Sequence, residues 1–176
     1  MSDLPSHVHI HEEGPREGFQ IEQGPIATAD KIALIDALAQ TGLRDIQIVS
    51  FVNPDRVPGM ADAEAVVAGV AANDAVRFHG LWLNQRGLLR AIATGRLTLE
   101  GKTTLYASAA FLRKNQNRTP EEQLAAQPEL LKMYTHHGIP VRTGFVTAAF
   151  GCNFEGDIPV AHVVDLVTQQ RDLARD

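Results

Sequence analysis

Residues 7–20 read HVHIHEEGPREGFQ, and that stretch changes character halfway along. Val8 and Ile10 alternate with His7, His9 and His11, a period of two that predicts a strand over His7–Glu12. Gly14-Pro15 then breaks the pattern. Around the break a cation, three carboxylates and two glycines crowd into one turn, Glu12 to Gln20. A strand that delivers a polar, glycine-bearing turn is the first half of a β/α unit.

The same unit recurs down the chain. Ile32, Ile35, Leu38 and Ala39 fall at helical spacing, with Thr28 able to cap the start and Gly42 able to end the helix. Asp45–Val52 predicts a second strand and Ala61–Ala72 a helix; Val76–Leu83 a third strand and Gln85–Thr94 a short helix closed by Gly95. Thr103–Ala110 predicts the fourth strand. Thr119-Pro120-Glu121-Glu122 is a strong helix start, with Thr at the cap, Pro in the first turn and Glu three residues on. That helix runs to about His137, kinked or split at Pro128. Val141–Phe150 predicts the fifth strand, and Pro159 opens a last helix with Val160, Val163, Val164 and Val167 as one apolar stripe. Strict alternation implies a parallel sheet with right-handed crossovers. Periodicity leaves two architectures: an open doubly wound sheet, or part of a (β/α)8 barrel, which takes about 250 residues. No G-x-G-x-x-G follows the first strand to favour the former.

The bulk numbers fit one domain. The chain has 176 residues, 44% of them hydrophobic and 21% charged, with net charge −5. That size supports one core rather than two. A mildly acidic chain without a Lys/Arg cluster points away from nucleic acid. The longest apolar stretches fall far short of the roughly 20 residues that span a bilayer. A single cysteine, Cys152, and a polar N-terminal stretch lead to the expectation of a reducing, cytoplasmic setting.

In parallel β/α folds the active groups sit at the carboxyl ends of strands. Besides the turn from Glu12 to Gln20, the strands deliver Gln47 and Ser50 to Pro54, then Asn84, then Ser108 and Lys114 to Asn117, then Gly151 to Gly156. Each also has a plainer reading. Arg16 beside Glu17 is what a solvated turn looks like, and Ser50 can simply satisfy backbone. Cys152 reads as a small buried hydrophobe. His7, His9 and His11 share a face and could hold a metal, but they precede the strand's carboxyl end and read better as solvated or barrel-bottom groups. His136-His137 fits a helix end.

Taken together the blocks are similar to one family. Glu12–Gln20 (EEGPREGFQ) resembles the first-strand signature of hydroxymethylglutaryl-CoA lyases, E-x-G-P-R-D-G-x-Q. Thr41-Gly42-Leu43 with Ser50-Phe51-Val52-x-Pro54, and then Val57-Pro58-x-Met60-x-Asp62, resembles the second block. Asn84 with Gly87, Ser108-x-x-Phe111-x-x-Lys114-Asn115-x-Asn117, and Gly144-Phe145-Val146 with Gly151-Cys152-x-x-Glu155-Gly156 resemble the third to fifth, in order. The resemblance implies an α/β TIM (β/α)8 barrel, of which residues 1–176 supply about five β/α units as a single partial-barrel domain. It implies divalent-metal-dependent retro-Claisen cleavage of a 3-hydroxy-3-methylglutaryl-CoA-like substrate to acetyl-CoA and a keto acid, and a place in leucine catabolism. Residue by residue, it implies Arg16 as the catalytic cation and Glu12 as an active-site acid. Gln20, Gln47, Ser50 and Ser108 would line the substrate pocket, and Glu17 would be a ligand to Mg²⁺ or Mn²⁺.

The chain departs from the pattern at Glu17, where the family has Asp, and at Gln47, where it usually has Glu. Either change points to a different acyl-CoA substrate or to a weakened site. The remaining metal ligands of the family, a His-x-His pair and an Asn near the last strands, have no counterpart here, so the expected partners are an acyl-CoA substrate and either a second copy, as a dimer, or a missing C-terminal segment. No nucleic acid or membrane partner is expected. The alternatives are a related acyl-CoA condensing enzyme or aldolase on the same barrel, and a non-catalytic half-barrel that needs a partner chain.

Overall fold

A computed structural model describes residues 4–22 and 24–174. The chain forms two compact units, one ending at Leu99 and the other beginning at Glu100.

The first unit holds a three-stranded parallel sheet in the order β1 (His11–Glu12), β2 (Asp45–Ser50), β3 (Arg77–Leu81). All six residues of β2 are buried, as the middle strand of a covered parallel sheet should be. The pairing of β2 with β3 slips between Gln47 and Val49, a bulge of the kind that re-aims a side chain near a site. Helices α1 (Gly14–Ile21), α2 (Thr28–Leu38), α3 (Ala63–Gly69) and α4 (Gln85–Thr94) surround these strands, with a 3-10 turn at Pro58–Met60. Two close approaches fix the helices. A side chain on Gly69 would strike Ile32, and one on Gly59 would strike the carbonyl of Phe19. Asn84 caps α4 by accepting from the Gly87 N–H at 2.9 Å, and Gly95 ends it in the left-handed region at φ 63°. Arg96 covers the last carbonyls of α3, those of Val67, Ala68 and Val70.

The second unit pairs β4 (Gly101–Tyr106) with β5 (Val141–Thr147) in parallel. Around them lie α5 (Ala109–Gln116), α6 (Pro120–His136) and α7 (Val160–Leu173). Leu105, Ala107 and Leu166 form the core, with Leu124, Val146, Ile158 and Val163 packed on it. Three buried glutamines face strand backbone. Gln127 accepts from the Thr104 N–H at 3.1 Å, Gln123 donates to the Thr104 carbonyl at 2.9 Å, and Gln170 donates to the Phe145 carbonyl. These side-chain amides do what a neighbouring strand would otherwise do.

Several expectations are corrected. The first strand is two residues, not six: His7 to Ile10 are exposed and only His11 and Glu12 pair. The turn behind it is the helix α1, because Gly14-Pro15 sits at the helix start, where proline's fixed φ and missing N–H suit the first turn. The fourth strand ends at Tyr106: Ser108 accepts from the Phe111 N–H at 3.0 Å and caps a helix that the sequence reading left as strand and loop. Pro128 lies inside α6, which remains one helix. The apolar stripe of α7 divides. Val163 packs on the core, while Val160, Val164 and Val167 are exposed.

Two stability predictions come from these contacts. The Lys31 ammonium, buried in α2, donates to Asp62 at 2.6 Å, to the Gly59 carbonyl at 2.7 Å, and stands beside the Thr28 hydroxyl's bond to Asp62. Burial alone would raise the Asp62 carboxyl, but Lys31 and Thr28 outweigh it and hold it below its ordinary value. A carboxyl depressed in the folded state stabilises above its unfolded pKa, about 4, and that contribution drains as pH falls through the lower folded value. The urea midpoint should therefore fall more steeply below about pH 4 in the wild type than in Asp62→Asn, which should itself lose about 2–3 kcal/mol at pH 7. In the second unit, Thr119 and Glu122 bond reciprocally as a capping box. Thr119→Ala should cost about 1 kcal/mol in denaturant unfolding.

Candidate active site

The site begins with a buried guanidinium. Arg16 lies in α1, immediately behind the carboxyl end of β1, and is 8% exposed. A cation that cannot be deprotonated needs acceptors when it leaves water. Gln47, buried on β2, supplies one: its Oε1 accepts from Arg16 Nε at 2.6 Å. Glu13 accepts from Nη2 and Glu17 from Nη1. The three acceptors surround the fork of the guanidinium and fix its plane. One helical turn further on, Gln20 accepts from the Ser50 hydroxyl at 2.5 Å, at the last residue of β2.

The structure thus brings Arg16, Glu17 and Gln47 into direct contact, and Gln20 onto Ser50. Glu12 is placed differently. Its carboxylate accepts from the Gly14 N–H at 2.5 Å and closes the turn into α1. Beside Glu17, the second acid that reaches Arg16 is Glu13. Glu13 falls on the unspecified position of the E-x-G-P-R motif, so motif matching carries no information about it. Gln47 brings a neutral acceptor to the arginine, and Glu13 and Glu17 bring the negative charge.

Ser108 lies in the second unit. Its hydroxyl donates to the Cys152 sulfur at 3.0 Å. Cys152 is half-exposed rather than a buried hydrophobe. The Ser108 hydroxyl lowers the thiol pKa, helped by the Phe154 and Glu155 N–H groups, against burial and the Glu155 carboxylate. Ala148, just past β5, adopts φ 60°, a strained conformation for a residue with a side chain, in the loop that leads to Cys152.

A second polar cluster lies two residues nearer the amino end of β2. Asp45 is 3% exposed and accepts from Arg77 Nε and Nη2, each at 2.6 Å. His79 Nε2 stands 2.8 Å from its Oδ1, and His9 bonds its Oδ2. Arg77 first, then His79 and His9 against the opposing effect of burial, hold the Asp45 carboxyl far below the carboxylate range. Among the described residues the ligand atoms of His11, Asp45 and His79 lie within 4.8 Å of one another. His11 also approaches Glu13, at 3.9 Å. The histidine row thus belongs to the amino-end side of the sheet, as the sequence reading held, but two of its members are engaged rather than merely solvated.

Beside Arg16 the donor suited to a cation is an oxygen, the half-exposed Glu17 carboxylate. Such a donor fits a hard divalent ion as part of a larger shell. No helix among the described residues is long and apolar enough to cross a membrane.

No family model matches the chain. The cytoplasmic 3-hydroxy-3-methylglutaryl-CoA lyase of Rattus norvegicus is 39% identical over 166 residues, 94% of this chain and 48% of that protein. A Pseudomonas aeruginosa protein named 3-hydroxy-3-isohexenylglutaryl-CoA/hydroxy-methylglutaryl-CoA lyase is 36% identical over 156 residues, 89% of this chain and 51% of its own. Similar proteins with mitochondrial names also occur, such as that of Gallus gallus at 38%. Among solved structures, the hydroxymethylglutaryl-CoA lyase of Pseudomonas aeruginosa matches 98% of this chain and 56% of its own with a TM-score of 0.85 and 33% identity. An HMG-CoA lyase of Acinetobacter baumannii in complex with coenzyme A and 3-methylmalate matches 99% of this chain and 56% of its own, with a TM-score of 0.84 and 30% identity. The chain spans about half the length of the curated relatives it matches. In sequence and in fold the chain is hydroxymethylglutaryl-CoA lyase-like, an α/β partial TIM barrel of that family's type.

Proposed function

We propose that the complete protein is a divalent-metal-dependent carbon–carbon lyase that cleaves a 3-hydroxy-3-methylglutaryl-CoA-like acyl-CoA to acetyl-CoA and a keto acid. The observation that carries this reading is the buried Arg16 guanidinium, held behind β1 by Gln47, Glu13 and Glu17. In retro-Claisen cleavage a base takes the proton of a tertiary hydroxyl, the oxygen becomes the ketone of the keto acid as the adjacent C–C bond breaks, and the electron pair left on the thioester enolate takes up a proton to give acetyl-CoA. A guanidinium already desolvated and oriented stabilises that developing charge without reorganising. Glu13 and Gln47 are its positioning residues. Glu17 is the side chain that would hold the metal. The bound metal, Mg²⁺ or Mn²⁺, would act as a Lewis acid on the substrate oxygens. Gln20 and Ser50, bonded to each other in the first unit, are proposed substrate contacts; Ser108 is proposed as a substrate contact of the second unit.

Relatives support an altered acyl group as part of the same reading. One carries an isohexenyl-bearing substrate in its name, and another binds coenzyme A with 3-methylmalate. The exchange of Asp for Glu at 17 and of Glu for Gln at 47 moves the carboxylates around the arginine, and with them the fit of the substrate's head. The same proposal includes a homodimer.

The test is release of acetyl-CoA from hydroxymethylglutaryl-CoA and longer analogues by the complete protein. Arg16→Ala should lower kcat at least tenfold, about 1.4 kcal/mol of barrel-bound transition-state stabilisation, and chelation should abolish turnover until Mg²⁺ or Mn²⁺ is restored. A smaller loss would remove Arg16 from the enolate, and turnover that ignores chelator would remove the metal. Glu13→Gln should lower kcat about tenfold, the worth of one charge-assisted bond, with KM little changed and partial recovery in Glu13→Asp. An unchanged kcat would mean that Gln47 and Glu17 orient the arginine unaided.

A further inference from the structure

The cluster at Asp45 is not used by the proposed chemistry. Three neighbouring strands each contribute one side chain to it: His11 from β1, Asp45 from β2 and His79 from β3. The register explains the meeting. His11 pairs with Asp45, and His79 pairs with Gln47, so His79 lies diagonally across from Asp45 on the next strand. The His11 and His79 rings stand 5.0 Å apart at their centroids. His9, just upstream, is already bonded to the same carboxylate.

We propose that these residues form a zinc-type metal site that clips β1 to the sheet. Two imidazoles and a carboxylate, with His9 available as a third imidazole, are the nitrogen and oxygen donors that Zn²⁺ takes in a four-coordinate shell. Their ligand atoms, within 4.8 Å of one another, need only small side-chain movements to close on one ion. The Arg77 guanidinium stands against the buried Asp45 carboxylate and neutralises it. The Arg77 side chain is 56% exposed, so it can turn to solvent when a divalent cation takes over that task. The ion would hold a strand that pairs through only two residues. The donor set separates this site from the oxygen-rich surroundings of Glu17, which suit a harder ion.

The experiment uses the untagged, chelator-stripped complete protein, with Zn²⁺ titrated calorimetrically and Co²⁺ read by its visible absorbance. One ion per chain with a tetrahedral Co²⁺ spectrum and a raised Tm is expected. His11→Ala and His9→Ala change exposed side chains and should leave the fold intact. His11→Ala should raise the Kd at least about tenfold, the loss that even an outer-shell change produces. His79→Gln should abolish the spectrum, and Glu17→Gln should leave it unchanged. Absence of Zn²⁺ binding would overturn the site. So would binding that survives His11→Ala and His79→Gln, which would place the ion on surface groups such as His136 and His137. Binding lost in Glu17→Gln alone would assign the ion to the proposed active site instead and also overturn the clip.

Discussion

A guanidinium that is nearly out of water dictates its surroundings. Arg16 cannot shed its charge, so every N–H it turns inward must meet an acceptor. That requirement explains why a glutamine sits inside a fully buried strand, why α1 starts directly behind β1 instead of after a longer loop, and why glutamates stand at the cap and in the first turn of the arginine's helix. The bulge of β2 against β3 falls at Gln47, the strand residue that bonds Arg16. The helix, the strand and the irregularity between strands all converge on holding one plane of five donors.

The alternation of strands and helices was legible because buried parallel strands and amphipathic helices have different periods, and the strong signals survived: Gln85–Thr94 and the Thr119 capping box match the observed elements. The errors share a cause. His7 to Ile10 have a strand's alternation, but alternation reports a side-chain pattern and not the presence of a partner strand. At the other extreme, α1 and α5 are eight residues each, too short for a helical period to outweigh a glycine, a proline or a serine at their start. Tertiary contact, not local propensity, sustains them.

The site was legible to the extent that its residues were specified by motif. Arg16, Glu17, Gln20, Gln47 and Ser50 come together in the first unit, at strand ends as parallel folds require. Glu13 was invisible because a variable position in a motif is read as permission, whereas here it carries the second carboxylate on the arginine. Asp45 and His79 were invisible for another reason. They are separated by more than thirty residues in the chain, and only the register of two parallel strands makes them neighbours.

The glutamines of α6 and α7 have a bearing on how this chain behaves at high concentration. A parallel strand with open backbone groups is a template on which other chains polymerise. Gln123 and Gln127 occupy both groups of Thr104, and Gln170 occupies the carbonyl of Phe145. An incoming strand must displace bonds already made in a buried setting, instead of finding them vacant. Slow deamidation of these amides would turn each donor or acceptor pattern into a carboxylate that no longer matches the backbone it covers, so the chemical age of a preparation, and not only its folding, would govern its tendency to form fibrous aggregates.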